Sequence, residues 1–154
     1  MNKAFFINGG AGRVLCSIPA LEAYAEKHDD FVIVAESWGE FFGCSKILRD
    51  KAFPIFHKNL FEDKLKDMVC VSPEPYRVWE YFNQKCSLAQ AFDIAINNKG
   101  VRDLSSPKIS LNKYEVVQGY NVVQEVKFKT GFDKAVVIQP FGRGVQNQGD
   151  FVVD

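Results

Sequence analysis

Short apolar runs alternate along the chain with segments in which apolar residues recur every three or four positions. The apolar runs are typical of buried β-strands and occupy residues 4–7, 31–35, 53–56, 68–72 and 135–139. The helical spacing predicts helices over residues 14–27, 38–49, 76–84, 87–97 and 115–126, with one or two helical turns over 60–66. Strands that alternate with helices favour right-handed βαβ units. We therefore predict an α/β fold, a Rossmann-like three-layer αβα sandwich with a mainly parallel sheet.

Three residues refine these elements. Ser87 precedes a helical segment and is a predicted N-cap. Pro54 cannot donate a backbone hydrogen bond, so its strand is expected at a sheet edge or to end there. Pro19 lies early in the first helix, which is expected either to begin in effect near residues 16–18 or to kink slightly.

Composition narrows the function classes. The chain has 154 residues, 47% of them hydrophobic and 25% charged, which suits one soluble globular domain. Lysine plus arginine equals aspartate plus glutamate at 19 each, so nonspecific binding to nucleic acid or to an anionic membrane is not expected. No apolar stretch reaches the ~18 residues of a membrane span, and the start of the chain does not resemble a signal peptide. We expect a cytoplasmic protein.

The cysteines give no metal-binding pattern. Cys16, Cys44, Cys70 and Cys86 form no CxxC pair, and no histidine lies near any of them in the sequence. Cys16 and Cys70 stand in apolar runs and are predicted to be small buried residues. Free thiols suit a reducing compartment, and we predict no metal site.

A glycine turn, Gly9-Gly10-Ala11-Gly12, joins the first strand to the first helix. Backbone N–H groups at such a turn can approach an anion closely, because glycine has no side chain. A dinucleotide site needs G-x-G-x-x-G, and Leu15 stands where the third glycine would be. Glu36 ends the second strand and could hold a ribose hydroxyl. A small NAD(P)-binding domain with redox activity and a plain tight turn both stay open.

The same stretch carries a resemblance to a known family. GGAGRVLCSIPALEAY is similar to the start of heptosyltransferase-type enzymes, glycosyltransferase family 9. The matching positions are Gly9, Gly12, Val14, Leu15 and Ile18-Pro19-Ala20-Leu21. Near the end of the chain, KAVVIQPFGRG resembles the strand and loop that begin the second domain of that family. Residues 50–105 match only in their alternation of strands and helices.

The resemblance implies the N-terminal half of a GT-B glycosyltransferase. Residues 1–133 would form a Rossmann-like domain that binds a glycan or similar acceptor. Residues 134–154 would be the first strand and loop of a truncated donor domain, or a C-terminal tail. Donor contacts would come from Gln139, Phe141, Gly142 and Arg143. Such enzymes transfer a sugar from a nucleotide-sugar with inversion and need no metal or other cofactor. We expect this chain to be inactive alone and to need a second Rossmann domain.

One departure concerns the chemistry. The family's acidic residue after the second glycine, its expected general base, is Arg13 here. An arginine stays protonated and cannot accept the proton of an acceptor hydroxyl, although it can bind a phosphate or carboxylate. Glu36 and Glu74 are the remaining acids near strand ends, and Trp38 could stack on a sugar ring. A non-catalytic binding module that has lost its base is a further alternative.

Overall fold

The computed structural model describes residues 2–107, 109–138, 141–142 and 151–152, the last two pairs by their backbone alone. The chain divides into two compact units, Met1–Ile109 and Ser110–Asp154. The predicted boundary, between residues 133 and 134, lies further along the chain.

The first unit is built on a four-stranded, all-parallel sheet. Its strands are β1 (Lys3–Ile7), β2 (Phe31–Ala35), β3 (Ala52–Pro54) and β4 (Val69–Val71). They lie in the order β3-β2-β1-β4. The predicted α/β, Rossmann-like class with a parallel sheet is confirmed.

The sheet edges separate a correct prediction from a wrong one. Pro54 ends β3 at one edge, as predicted, where its missing N–H breaks no ladder. Residues 68–72 were expected to form a buried strand, but β4 is the other edge, and Val69 and Cys70 are exposed. An apolar run of three residues can serve an edge strand as well as a central one, and the sequence does not distinguish the two.

Helix α1 (Ala11–Ala25) and helix α4 (Leu88–Asn97) pack against each other on one face of the sheet. The alternation of β1 and β2 divides the core, because successive side chains point to opposite faces. Phe5 and Ile33 join the cluster under these helices, whereas Ala4 and Val34 face the other side. That second face is covered by a single wide helical turn, Leu60–Lys64, which confirms the helical turn predicted there.

The helix ends follow partly from local sequence. Ser87 is the N-cap of α4, as predicted, and forms a reciprocal capping box with Gln90. α1 begins at Ala11, so Pro19 lies in its interior rather than in its first turn. Proline removes one helical hydrogen bond there. Pro19 is buried, and the packing of the α1 apolar face against the sheet and α4 keeps the helix continuous.

Two predicted helices are much shorter in the structure. Residues 38–49 contain only α2 (Glu40–Gly43), and turns follow it. Trp38 has a left-handed backbone with φ +57°, which cannot begin an α-helix. Residues 76–84 contain a 3₁₀ turn, Pro75–Arg77, and then α3 (Trp79–Phe82).

The second unit contains α5 (Lys113–Thr130), which includes the helix predicted over 115–126. It begins with a capping box between Asn112 and Glu115 and ends at Gly131, and it has no buried residue. A strand was predicted over 135–139, but residues 135–138 are exposed and form none; residue 139 lies outside the described residues. A buried-strand pattern needs a neighbouring strand and two covered faces, and residues 135–138 have no described strand paired to them.

The only strands described in this unit are β5 (Phe141–Gly142) and β6 (Phe151–Val152), which pair antiparallel. Among the residues described, no helix combines the length and the apolar character needed to cross a lipid bilayer.

Candidate functional site

The carboxyl ends of the four parallel strands lie at the same end of the sheet, and so do the loops that follow them. After β1 the chain turns through Gly9 and Gly10 into α1, and after β4 it passes Ser72, Pro73 and Glu74. The strand order grows from β1 towards β3 on one side, whereas β4 lies on the other side. The order therefore reverses between β1 and β4. In open α/β sheets, ligands bind in the crevice at such a reversal.

An ion pair crosses this crevice. Arg13, in the first turn of α1, donates from Nη1 to Glu74 Oε1 at 3.2 Å. Its Nη2 donates to the Pro73 carbonyl at 3.1 Å and reaches Glu74 Oε2 at 3.5 Å. Arg13 and Glu74 were predicted separately as site residues, and the fold brings them into contact across 61 positions of sequence.

The surroundings hold the guanidinium of Arg13 in place. Its carbon Cζ lies 5.0 Å from the centre of the Tyr76 ring and 5.6 Å from that of Phe92. Such cation–π contacts favour a fixed arginine. The Arg13 side chain is 12% exposed, whereas that of Glu74 is 44% exposed. Arg13 Nε is buried and has no hydrogen-bond partner among the described residues. The pair therefore combines a sheltered cation with a carboxylate that reaches solvent.

The glycine turn fits around Arg13. Gly9 has φ +102°, a conformation that side chains rarely adopt, and a Cβ there would lie 2.6 Å from Arg13 Cδ. Gly10 is the N-cap of α1 and gives no side-chain cap. Gly12 is the second residue of the helix, and nothing lies within 4 Å of where its Cβ would be. Of Gly9 and Gly12, only Gly9 is required by close packing, and that packing is against the arginine.

A separate cleft of about 360 Å³ lies at the carboxyl ends of β2 and β3. Glu36 and Trp38, two more predicted site residues, both line it. The Trp38 ring is stacked on Phe41 with centroids 5.9 Å apart and remains 44% exposed. Ser37 Oγ donates to the Gly9 carbonyl at 2.9 Å, which ties the cleft wall to the glycine turn. Glu36 forms no side-chain hydrogen bond or ion pair with the Arg13–Glu74 pair.

The structure adds residues that the sequence did not indicate. Tyr76 and Phe92, the rings beside Arg13, come from a 3₁₀ turn and from α4. Tyr76 also lines an aromatic pocket of about 540 Å³, whose other lining residues are Tyr81, Phe82, Gln84 and Cys86. The nearest sequence signal was the SPEPY segment after β4, because a strand end with two prolines fixes a loop at the carboxyl edge.

The predicted donor contacts belong to the second unit. Gln139 and Arg143 lie outside the described residues. Phe141 and Gly142 form β5 and are described by their backbone. Within the described residues, no group of three or more His, Cys, Asp and Glu side chains is placed to hold a metal ion.

No protein-family model, no curated protein and no solved structure matches this chain. The resemblance to glycosyltransferase family 9 therefore rests on the sequence motifs themselves.

Proposed function

We propose that the Met1–Ile109 unit is the acceptor-binding half of an inverting, heptosyltransferase-like glycosyltransferase. The observation that carries the proposal is the Arg13–Glu74 ion pair in the crevice between β1 and β4. The resemblance places the family's acid at position 13, where this chain has an arginine. The pair supplies a carboxylate beside that position, from the loop after β4 instead of from α1.

The chemistry assigns different roles to the two residues. As the acceptor hydroxyl attacks the anomeric carbon, a C–O bond forms, the nucleotide diphosphate leaves, and the hydroxyl proton passes to the Glu74 carboxylate. Glu74 suits this role because its side chain is 44% exposed, whereas that of Arg13 is 12% exposed. Arg13 positions that carboxylate through its two terminal nitrogens. The nucleotide-sugar itself would be bound by a donor domain.

The cleft beside Trp38 is a second argument for a carbohydrate ligand. An exposed aromatic face pairs well with the apolar face of a sugar ring, and Trp38 is held flat against Phe41. The hydrogen bond from Ser37 to Gly9 places this cleft next to the glycine turn. We assign the cleft to an outer sugar of the acceptor and the crevice to the reacting sugar.

The test compares two glutamates at the same sheet edge. The resemblance implies the inner sugars of lipopolysaccharide as the usual acceptors. Glu74→Gln and Glu36→Gln are therefore assayed for sugar transfer to core oligosaccharide released from lipopolysaccharide, in a protein that joins this chain to a donor domain. Loss of a general base costs about 10²- to 10⁴-fold in rate, so Glu74→Gln should lose that much and Glu36→Gln little. Oligosaccharide affinity should stay similar in both. A large rate loss in Glu36→Gln alone would instead identify Glu36, in the cleft beside Trp38, as the base.

A dinucleotide-binding redox domain is the second candidate, and one observation favours it: Glu36 directly follows β2 and lines a cleft. Arg13 counts against it, because its side chain packs on Gly9, where a pyrophosphate would approach. A thermal-shift panel with nucleotide-sugars, free nucleotides and NAD(P)H separates the two. Binding at 100 times Kd stabilises the fold by about 2.7 kcal/mol, so a shift with NAD(P)H alone would favour the redox domain.

A further inference from the structure

A further concave site lies at the other end of the strands from the crevice, where β1 begins and where α1 and α4 end. It is a cavity of about 300 Å³. Five of its lining side chains carry basic groups: Lys3, Lys27, His28, Lys99 and Arg102. No aspartate or glutamate is among the described residues that line it. The chain as a whole has no net charge, but the residues that line this cavity have an excess of basic groups.

Arg102 is fixed in this wall by a buried acid. Its Nη2 donates to Asp93 Oδ1 at 2.7 Å, and its Nε donates to Oδ2. Asp93 lies in the core, and Asn97 completes its hydrogen bonding. The hydrogen bonding of Arg102 to the Asp93 carboxylate raises the pKa of Arg102. The other terminal nitrogen, Nη1, forms no hydrogen bond with a described residue, so the guanidinium is held in one plane with that nitrogen left over.

The lysines are not neutralised by neighbouring acids. Lys3, Lys27 and Lys99 form no ion pair with any described carboxylate. Lys3 Nζ lies 5.5 Å from the centre of the Tyr24 ring, and His28 stacks on the same ring, with centroids 4.2 Å apart. The negative charge of Glu26 also raises the pKa of Arg102, but Glu26 does not line the cavity.

We propose that this basic cavity binds a small phosphate-bearing anion, such as a phosphate ester or a diphosphate. A hollow lined by one sign of charge focuses its field and concentrates ions of the opposite sign. A planar arginine supplies directed donors to a phosphate, and lysines supply mobile point charges around it. The site lies at the other end of the strands from the crevice of Arg13 and Glu74. The proposal therefore does not depend on the proposed transferase function.

The same cations also lie beside the C-terminal ends of α1 and α4, where positive charge stabilises a helix. That role predicts a loss of stability when a lysine is neutralised, and no effect on anion binding. The two roles are therefore separated by measuring affinity for an anion alongside the melting temperature.

The experiment is calorimetric titration of the full chain with pyrophosphate and with inorganic phosphate. The test variant is Lys27→Gln/Lys99→Gln. The matched control is Lys46→Gln/Lys58→Gln, which removes the same charge from exposed positions away from the cavity. We expect wild type and control to bind pyrophosphate equally, and the test variant to bind about tenfold more weakly or worse, since charge-assisted hydrogen bonds are lost. Arg13→Gln should leave the affinity unchanged.

Several results would overturn the proposal. These are the absence of pyrophosphate binding by the wild type, equal weakening in test and control variants, and loss of binding in Arg13→Gln, which would place the anion in the crevice. Sedimentation with phosphatidylserine-containing vesicles, undiminished by pyrophosphate, would identify a membrane-binding surface instead. A lower melting temperature with unchanged affinity in the test variant would assign the lysines to the helix ends alone.

Discussion

Removal of Arg102, the ionic partner of the buried Asp93 carboxylate, should lower the free energy of unfolding of the first unit more than neutralisation of Asp93 itself. Asp93 is 1% exposed, whereas the Arg102 side chain is 40% exposed. The carboxylate accepts hydrogen bonds from Arg102 and, at 2.7 Å, from Asn97 Nδ2, which also donates to the Ala20 carbonyl of α1. This network joins the two helices that cover one face of the sheet.

The two halves of the ion pair differ in what each deletion leaves behind. Arg102→Met removes the cation and leaves a buried charge without an ionic partner, which costs about 3–5 kcal/mol when both partners are deeply buried. Asp93→Asn leaves an arginine that can reach water, so the loss should be nearer the ~1–3 kcal/mol of a buried polar group with an imperfect partner. We expect Arg102→Met to be the more destabilising variant by up to about 2 kcal/mol, the difference between the midpoints of those two ranges, with the partial exposure of Arg102 reducing it.

Urea titrations followed by far-ultraviolet circular dichroism give the free energies of unfolding, provided that the m-values agree. Glu125→Gln, which breaks the exposed Lys129–Glu125 pair, is the surface control and should cost no more than about 0.5 kcal/mol. If Asp93→Asn costs as much as Arg102→Met, or if both behave like the surface control, the carboxylate is not buried as the structure has it.

Four further predictions concern individual residues. Gly9→Ala should lower the free energy of unfolding by about 1–3 kcal/mol, because its backbone is strained for alanine. Gly12→Ala should raise the free energy of unfolding by roughly 0.5–1 kcal/mol. Urea midpoints equal to that of the wild type in the two variants would contradict both predictions. Ser87→Ala should lower the free energy of unfolding by about 1 kcal/mol in the same titration, and an unchanged value would mean that the N-cap does not stabilise α4. In timed iodoacetamide labelling read by mass spectrometry, exposed Cys70 should react before Cys16, because burial raises the pKa of the Cys16 thiol and keeps it protonated; the reverse order would contradict this.

The sequence predicts those parts of the fold whose signals are local. β2 is a fully buried apolar run between two turns, and its bounds agree with the prediction. The N-cap of α4 needs only Ser87 and Gln90, three residues apart. The prediction of a helix over 38–49 was wrong because the apolar spacing there reflects burial of Phe42 from the short helix α2 and of Leu48 from the turns after it, rather than from one continuous helix. Spacing alone does not separate these cases.

The candidate site depends on contacts that local reasoning does not reach. Arg13 and Glu74 each stood out by position, one after a glycine turn and one after a strand. Their pairing follows from β4 lying next to β1, which is a matter of strand order. Cys70 was predicted to be buried, and it is exposed because that same strand is an edge. Strand order is set by packing over the whole unit, so these features appear only in the folded chain.

The most direct test of the proposed crevice is an amide chemical-shift titration of the ¹⁵N-labelled chain with core oligosaccharide released from lipopolysaccharide. The crevice assignment predicts that the largest shifts fall on residues 9–13 and 72–76, with smaller ones on 36–40, and that Arg13→Gln weakens all of them together. Shifts confined to other parts of the sheet edge, or none in these three segments, would contradict the assignment of the Arg13–Glu74 crevice as the ligand site.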